Sequence, residues 1–244
     1  MKEWFKEWFN SEEYLNVYRH RDEEDAEKLL NLILNETRLP DKANILDAAC
    51  GAGRHSIFLS SKGFNVVGFD LSKTLLFRAK KDASEKNINL NLICADIRRI
   101  YFKRKFDLIL NLFTSFGYFN SDEENFSFVE NIFGSMNSGS AYVFDYFNKE
   151  FLLNNLVDES IKIIGDRQIT ERRKFEGERI VKEIDINSNG NINSYFESVR
   201  LYDAEFIIDM FEKTGFRTGQ IFGDYDGHSF EKAISPRLII FFYK

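Results

Sequence analysis

Three aspartates, Asp47, Asp70 and Asp96, each follow the end of an apolar run, and each could bind a different part of one polar ligand. Asp47 lies in Ile45-Leu-Asp-Ala-Ala-Cys-Gly-Ala-Gly-Arg54, where the run passes through Gly51 and Gly53 into a helical pattern. A turn of this kind presents backbone N–H groups at a helix start and suits an anion or a polar ligand. Gly-x-Gly alone fits any tight turn, or a dinucleotide site. The dinucleotide fingerprint needs glycine at 56, where Ser56 stands. A carboxylate beside the turn repels a pyrophosphate and attracts an ammonium group. A zwitterionic amino-acid tail therefore suits the place, with its ammonium towards Asp47 and its carboxylate towards amides or a cation. Asp70 closes Val66-Val-Gly-Phe-Asp, where an acid after a second strand accepts hydrogen bonds from ribose hydroxyls. Asp96, in Cys94-Ala-Asp-Ile97, can take an amino proton of adenine. Any one of these acids could be a helix cap. All three at the carboxyl ends of successive strands mark the edge where open α/β sheets bind ligands.

The elements that must position them alternate. Predicted strands at Ile45-Leu46, Phe64–Phe69, Leu90–Cys94, Phe106–Leu112 and Ser140–Phe144 are separated by helices. These helices span Arg54–Ser61, follow Ser72 with Leu75, Leu76, Ala79 and Ala83, and follow the capping box Ser121-Asp-Glu-Glu124. This rhythm implies parallel strands covered on both faces. Before it, Asn10-Ser-Glu-Glu13 reads as a capping box, and a helix from about Asp22 carries Ala26, Leu29, Leu30 and Ile33 on one side. After Lys149 the pattern turns to alternation around Ser188-Asn-Gly190, a hairpin signal, so an antiparallel excursion is expected over 158–201. Asp203 then caps a helix closed by Gly215, and strands Phe216–Phe222 and Arg237–Tyr243 finish the chain. The 14-residue connection between them, Gly223–Pro236, is long for a hairpin.

Composition sets the outer limits. The 244 residues are 43% hydrophobic and 30% charged, with 2 Pro and 2 Cys, enough for a full core and too few cysteines for a disulfide framework. No signal peptide opens the sequence, and the Leu238–Tyr243 run is far below the ~20 residues of a membrane span. A cytoplasmic globular protein without membrane attachment is expected. The net charge of −6 removes the general attraction to nucleic acid and argues against such a partner. The local exception is Arg98, Arg99, Lys103, Arg104 and Lys105, read as a solvated connector or as an RNA-contact patch.

Asp47-Ala-Ala-Cys-Gly-Ala-Gly53, Gly68-Phe-Asp-Leu-Ser72, Cys94-Ala-Asp-Ile97 and Phe106-Asp-Leu-Ile-Leu-Asn-Leu112 resemble, in order, the motifs of the class I S-adenosylmethionine-dependent methyltransferases. The likeness is strong over residues 40–147 and looser over the last helix and two strands. It implies an α/β, Rossmann-like fold: a seven-stranded, mostly parallel sheet with helices on both faces and a reversed last strand. It also implies an N-terminal helical cover (1–39), a cofactor-binding domain (40–149 and 202–244) and an inserted antiparallel β lid (150–201). The resemblance assigns Asp47, Ala49, Gly51 and Gly53 to the methionine portion of S-adenosylmethionine, and Asp70 with Leu71 to the ribose. Asp96 with Ile97 falls to the adenine and Leu112 to the methionine side. Many members carry glycine where Ala49 stands. Tyr18, His20 and Arg21 are candidate contacts to the cofactor carboxylate, or else a surface cluster.

Methyl transfer from a sulfonium needs chiefly alignment of donor and acceptor, so the absence of an obvious catalytic triad is no objection. Acceptor-facing groups are expected in Thr114–Phe119, Asp145–Asn148 and Gly223–His228, with His228 and Tyr118 as candidates for proton transfer. The competing readings are plain packing for the phenylalanines and turn formation for Asp224–His228. The histidines and cysteines show no metal-ligand spacing. N- or O-methylation of a small molecule, releasing S-adenosylhomocysteine, is the leading expectation, with a homodimer as a possible assembly. An RNA- or protein-directed enzyme, or a non-catalytic regulatory protein that keeps the pocket, are the alternatives.

Overall fold

A computed structural model of the chain describes residues 3–18 and 23–244, so the candidates His20 and Arg21 lie outside the described residues. In chain order the elements are α1 (Trp4–Trp8), α2 (Glu12–Val17), α3 (Glu23–Thr37), β1 (Asn44–Ala48), α4 (Arg54–Ser61), β2 (Asn65–Asp70), α5 (Lys73–Glu85), β3 (Asn91–Cys94), β4 (Phe106–Asn111) and α6 (Asp122–Phe133). They continue with β5 (Met136–Phe147), α7 (Lys149–Asn154), β6 (Glu159–Ile164), β7 (Arg167–Glu176), β8 (Arg179–Ser188), β9 (Asn191–Arg200), α8 (Ala204–Thr214), β10 (Arg217–Phe222) and β11 (Arg237–Tyr243).

Seven strands form the main sheet in the order β10-β11-β5-β4-β1-β2-β3. β1 to β5 pair in parallel, whereas β11 runs antiparallel to both β5 and β10. Both faces are covered, which explains the unbroken apolar run of β11. Leu238, Ile240 and Phe242 enter one cluster with Phe128, Ile132 and Phe211 of α6 and α8. Ile239 and Phe241, pointing the other way, join Leu29, Leu30 and Ile33 of α3 and Leu59 of α4.

The four strands β6 to β9 make a separate antiparallel sheet. Asn189 and Gly190 join β8 to β9 with φ of 52° and 87°, the doubly left-handed geometry of a two-residue hairpin turn. This sheet does not stand apart from the N-terminal helices. Trp4, Phe5, Trp8 and Val17 share one buried cluster with Ile169, Ile184 and Ile186. The N-terminal segment is therefore split: α1 and α2 form a roof with the small sheet, while α3 belongs to the main sheet's core.

Several local details differ from the sequence reading. Ser11, not Asn10, caps α2, accepting from the Tyr14 N–H at 3.1 Å. Asp203 occupies the N-cap position of α8, but its carboxylate takes Lys149 Nζ at 2.8 Å instead of a helix amide. β5 is longer than its apolar centre suggested, and α7 was not foreseen because six residues give little periodicity. Alternation located the small sheet's strands without showing which residues are buried: Ile161, Ile163 and Ile192 are exposed.

The turn after β1 is built from left-handed residues: Ala49 (φ 54°), Gly51 (55°) and Gly53 (76°). At Gly53 a Cβ would lie 2.7 Å from the Ala79 Cβ, so this glycine lets α4 approach α5. Ala49 carries the steric cost of its conformation, about 1–2 kcal/mol. Ala49→Gly is expected to raise stability by about 0.5–1 kcal/mol, the relief being partly offset by the freer unfolded chain. Gly53→Ala should lower it by about 1–3 kcal/mol through overpacking. Urea midpoints check both, and an A49G protein no more stable than its parent would contradict the strain at Ala49.

Candidate cofactor and acceptor site

The carboxyl ends of β1 and β2 are tied together by Asp70. Its Oδ2 accepts the Gly51 N–H at 2.9 Å and its Oδ1 accepts the Ser72 N–H at 2.8 Å. Ser72 in turn caps α5, accepting from the Leu75 N–H at 3.1 Å. Each Asp70 oxygen keeps a second lone pair for a ligand. Asp47, at the end of β1, is 1% exposed and accepts from Ser56 Oγ at 2.6 Å. Burial pushes its pKa up to about 6, and burial also raises that of Asp70.

Asp96 differs. Its carboxylate is gripped by Arg98, with Nε at 3.0 Å from Oδ1 and Nη2 at 2.6 Å from Oδ2. Burial acts to raise its pKa, yet the Arg98 hydrogen bonds hold it below the ordinary carboxylate value. The same guanidinium reaches Glu3 and Glu124 and lies 4.4 Å from the centre of the Phe119 ring. Arg98 is thus withdrawn from the basic run that raised the RNA reading.

These acids line one cavity of about 900 Å³ at the carboxyl edge of the main sheet. Ala49, Gly51, Leu71, Ile97 and Leu112 line it as well, as do Tyr18 and Tyr118. Gly53 does not, because it faces α5. His228 does not either: it stands on the exposed β10–β11 connection with Nδ1 2.8 Å from Asp224 Oδ2. Asp224 also accepts the backbone N–H groups of Asp226 and His228, the role of a turn-forming aspartate. Tyr118 packs edge-on to Trp4 at 5.3 Å, and Tyr18 donates to Glu197 at 2.6 Å.

The wall opposite the acids is aromatic, with Phe5, Phe9 and Tyr14 from the roof and Phe116, Tyr118 and Phe119 from the segment after β4. Arg54 and His55 are among the lining residues that the sequence reading did not assign to the site, and their signal was their place directly after Gly53; Phe113, weighed there as an aromatic wall or plain packing, lines the cavity. Phe113 (φ 54°) and Thr114 (φ 61°) are consecutive non-glycine residues in the left-handed region, strain of a kind that collects at ligand sites. Buried Asp145, expected to face substrate, instead holds them. It accepts the Phe113 N–H at 2.8 Å through Oδ2, and its backbone carbonyl accepts the Thr114 N–H at 3.0 Å. Arg237 (2.7 Å) and Tyr225 (3.2 Å) complete its coordination. Asn148 likewise turns inward, capping α7 and binding the carbonyls of Lys232 and Ser235.

An acid at the end of β1, a bridged acid at the end of β2 with free lone pairs, and a glycine turn between them fit an adenosyl amino acid. Residues 45–139 match the methyltransferase-domain family. The chain is similar to the S-adenosylmethionine-dependent methyltransferases. The putative methyltransferase YqeM of Bacillus subtilis is 27% identical over 199 residues, 78% of this chain and 80% of that one. The dTDP-3-amino-3,4,6-trideoxy-alpha-D-glucopyranose N,N-dimethyltransferase of Streptomyces venezuelae is 28% identical over 100 residues, 41% of this chain and only 40% of its own. The crystal structure of an S-adenosylmethionine-dependent methyltransferase from Clostridium acetobutylicum shares the fold, with a TM-score of 0.82 at 20% identity over 95% of this chain and 97% of that one.

The raised pKa of Asp47 has a defined consequence for stability. The native protein keeps a proton that the unfolded chain releases near pH 4, so stability falls as pH rises from about 4 to 6. Asp47→Asn cannot ionise and should flatten this slope, gaining on the order of 2–3 kcal/mol over the parent at pH 7. Urea unfolding at several pH values tests it; a parent that grows more stable through the window would contradict the burial of an ionising Asp47.

Proposed function

We propose that this protein methylates a nitrogen or oxygen atom of a small molecule. The observation that carries the reading is that one cavity joins the acid-bearing edge of β1 and β2 to the aromatic wall under the roof. Asp47 would hold the cofactor's ammonium, Asp70 a ribose hydroxyl and Asp96, with its remaining lone pairs, the adenine amino group. When bound, S-adenosylmethionine supplies an already activated methyl group.

The chain's own task is then orientation and exclusion of water. Phe5, Phe9, Tyr14, Tyr118 and Phe119 present flat faces and few charges, which suits an acceptor with an apolar body or an amine held by cation–π attraction. The amino-sugar N,N-dimethyltransferase among the relatives favours nitrogen, although its match spans only two fifths of each chain. Tyr118, which lines the cavity, would take or relay a proton beside the acceptor. A nucleic-acid substrate has less in its favour, since Arg98 is engaged by three carboxylates.

Calorimetry with S-adenosylhomocysteine tests the cofactor half. Asp70→Ala is expected to weaken binding about tenfold or more in a protein that still melts cooperatively, the loss of a charged hydrogen-bond partner. Parent affinity should also fall below about pH 6 as Asp47 takes up its proton. Unchanged affinity in the variant would remove the ribose assignment. A labelled-methyl screen against amines, alcohols and a metabolite extract then identifies the acceptor; labelling of RNA alone would overturn the small-molecule reading.

A further inference from the structure

His55 is a buried polar residue outside the network of hydrogen bonds that holds the three acids. It is the second residue of α4, immediately after the glycine turn, and lines the same cavity as Asp47 and Gly51. The residue is 6% exposed, and its Nε2 has no hydrogen-bond partner among the described residues. A ring nitrogen left so costs about 1–3 kcal/mol, which a ligand atom would recover.

We propose that His55 Nε2–H binds the carboxylate at the amino-acid end of the cofactor. The inference rests on the reading of the cavity as the cofactor site. Three observations give it direction. The imidazole stacks on Phe113, with ring centres 5.2 Å apart and planes 24° apart, and Phe113 is itself fixed through Asp145, so the plane of the ring is set before any ligand arrives. Burial, and then Arg54, push the imidazole well below its usual pKa, leaving a neutral ring with a single N–H to donate. The surroundings favour an anion: His55 sits in the first turn of α4, and the Arg54 guanidinium lies 3.9 Å from the centre of the Phe113 ring. The two ends of a zwitterion are thereby sorted, ammonium to Asp47 and carboxylate to His55.

Two probes that share a nucleoside separate this role from general packing. S-adenosylhomocysteine carries the amino-acid tail; 5′-methylthioadenosine lacks it. In calorimetry His55→Phe is expected to weaken S-adenosylhomocysteine about tenfold or more and to leave methylthioadenosine within about twofold of the parent. His55→Gln, which keeps a donor, should restore most of the loss. Equal losses for both probes, or none for either, would overturn the assignment. If His55→Phe does not fold, nitrogen-15 NMR of the parent gives the same answer: the Nε2 resonance should move with S-adenosylhomocysteine and not with methylthioadenosine, and any other pattern overturns the proposal. A parent that binds neither probe defeats the cofactor reading itself, a failure distinct from that of His55 alone.

Discussion

The site is organised around one buried carboxylate that bonds backbone in two directions. Asp70 accepts from Gly51 in the turn after β1 and from Ser72 at the start of α5. Each bond satisfies an amide that would otherwise be an orphan at a turn or helix start. Together they lock two adjacent strand ends into one surface. Ser72 extends the tie upward: its hydroxyl donates to the Phe9 carbonyl at 2.6 Å, so the roof hangs from the same point. The ionised form is disfavoured by burial yet stabilised by these amides, and a ligand hydroxyl would add a further donor.

A second buried carboxylate does similar work at the other end of the cavity. Asp145 at the end of β5 uses Arg237 of β11 as its counter-charge and spends its remaining capacity on Phe113 and Tyr225. The reversed strand β11 therefore has a local purpose beyond closing the sheet, because it brings a cation to the carboxyl edge. Phe113 and Thr114 keep their left-handed backbone because this network holds them. Their strain places an aromatic ring between His55, Arg54 and Tyr225.

Much of this was legible in the sequence where local pattern and tertiary role coincide. The alternation of apolar runs and helical spacing gave the parallel core, and Arg54–Ser61 matches α4 residue for residue. Acids after successive strands pointed to the ligand edge because strand ends converge there whatever the detailed packing. The failures are of another kind. Asp145 reads as a loop-facing acid until Arg237, 92 residues later, is seen beside it. Gly53 fits a ligand turn equally well until Ala79 is placed against it. His55 shows in sequence only its place after the glycine turn; burial is what distinguishes an unpartnered imidazole from an ordinary one.

The roof extends this argument to the acceptor. Trp8 and Tyr18 both donate to Glu197, at 2.7 and 2.6 Å, and Lys182 closes the group with its Nζ 2.7 Å from the other Glu197 oxygen. Arg179 of β8 donates to the carbonyls of Gly117, Tyr118 and Phe119, pinning the small sheet to the segment after β4. Helices from the start of the chain and strands from residues 159–200 thus act as one cover, fixed at its rim by backbone and faced with rings inside. Because the residues it turns to the cavity are largely aromatic, it would meet an acceptor chiefly through shape and aromatic surface. Substitutions that reshape Phe5, Phe9 or Tyr14 should therefore change which molecule is accepted more than binding at Asp47 and Asp70, which belong to the main sheet.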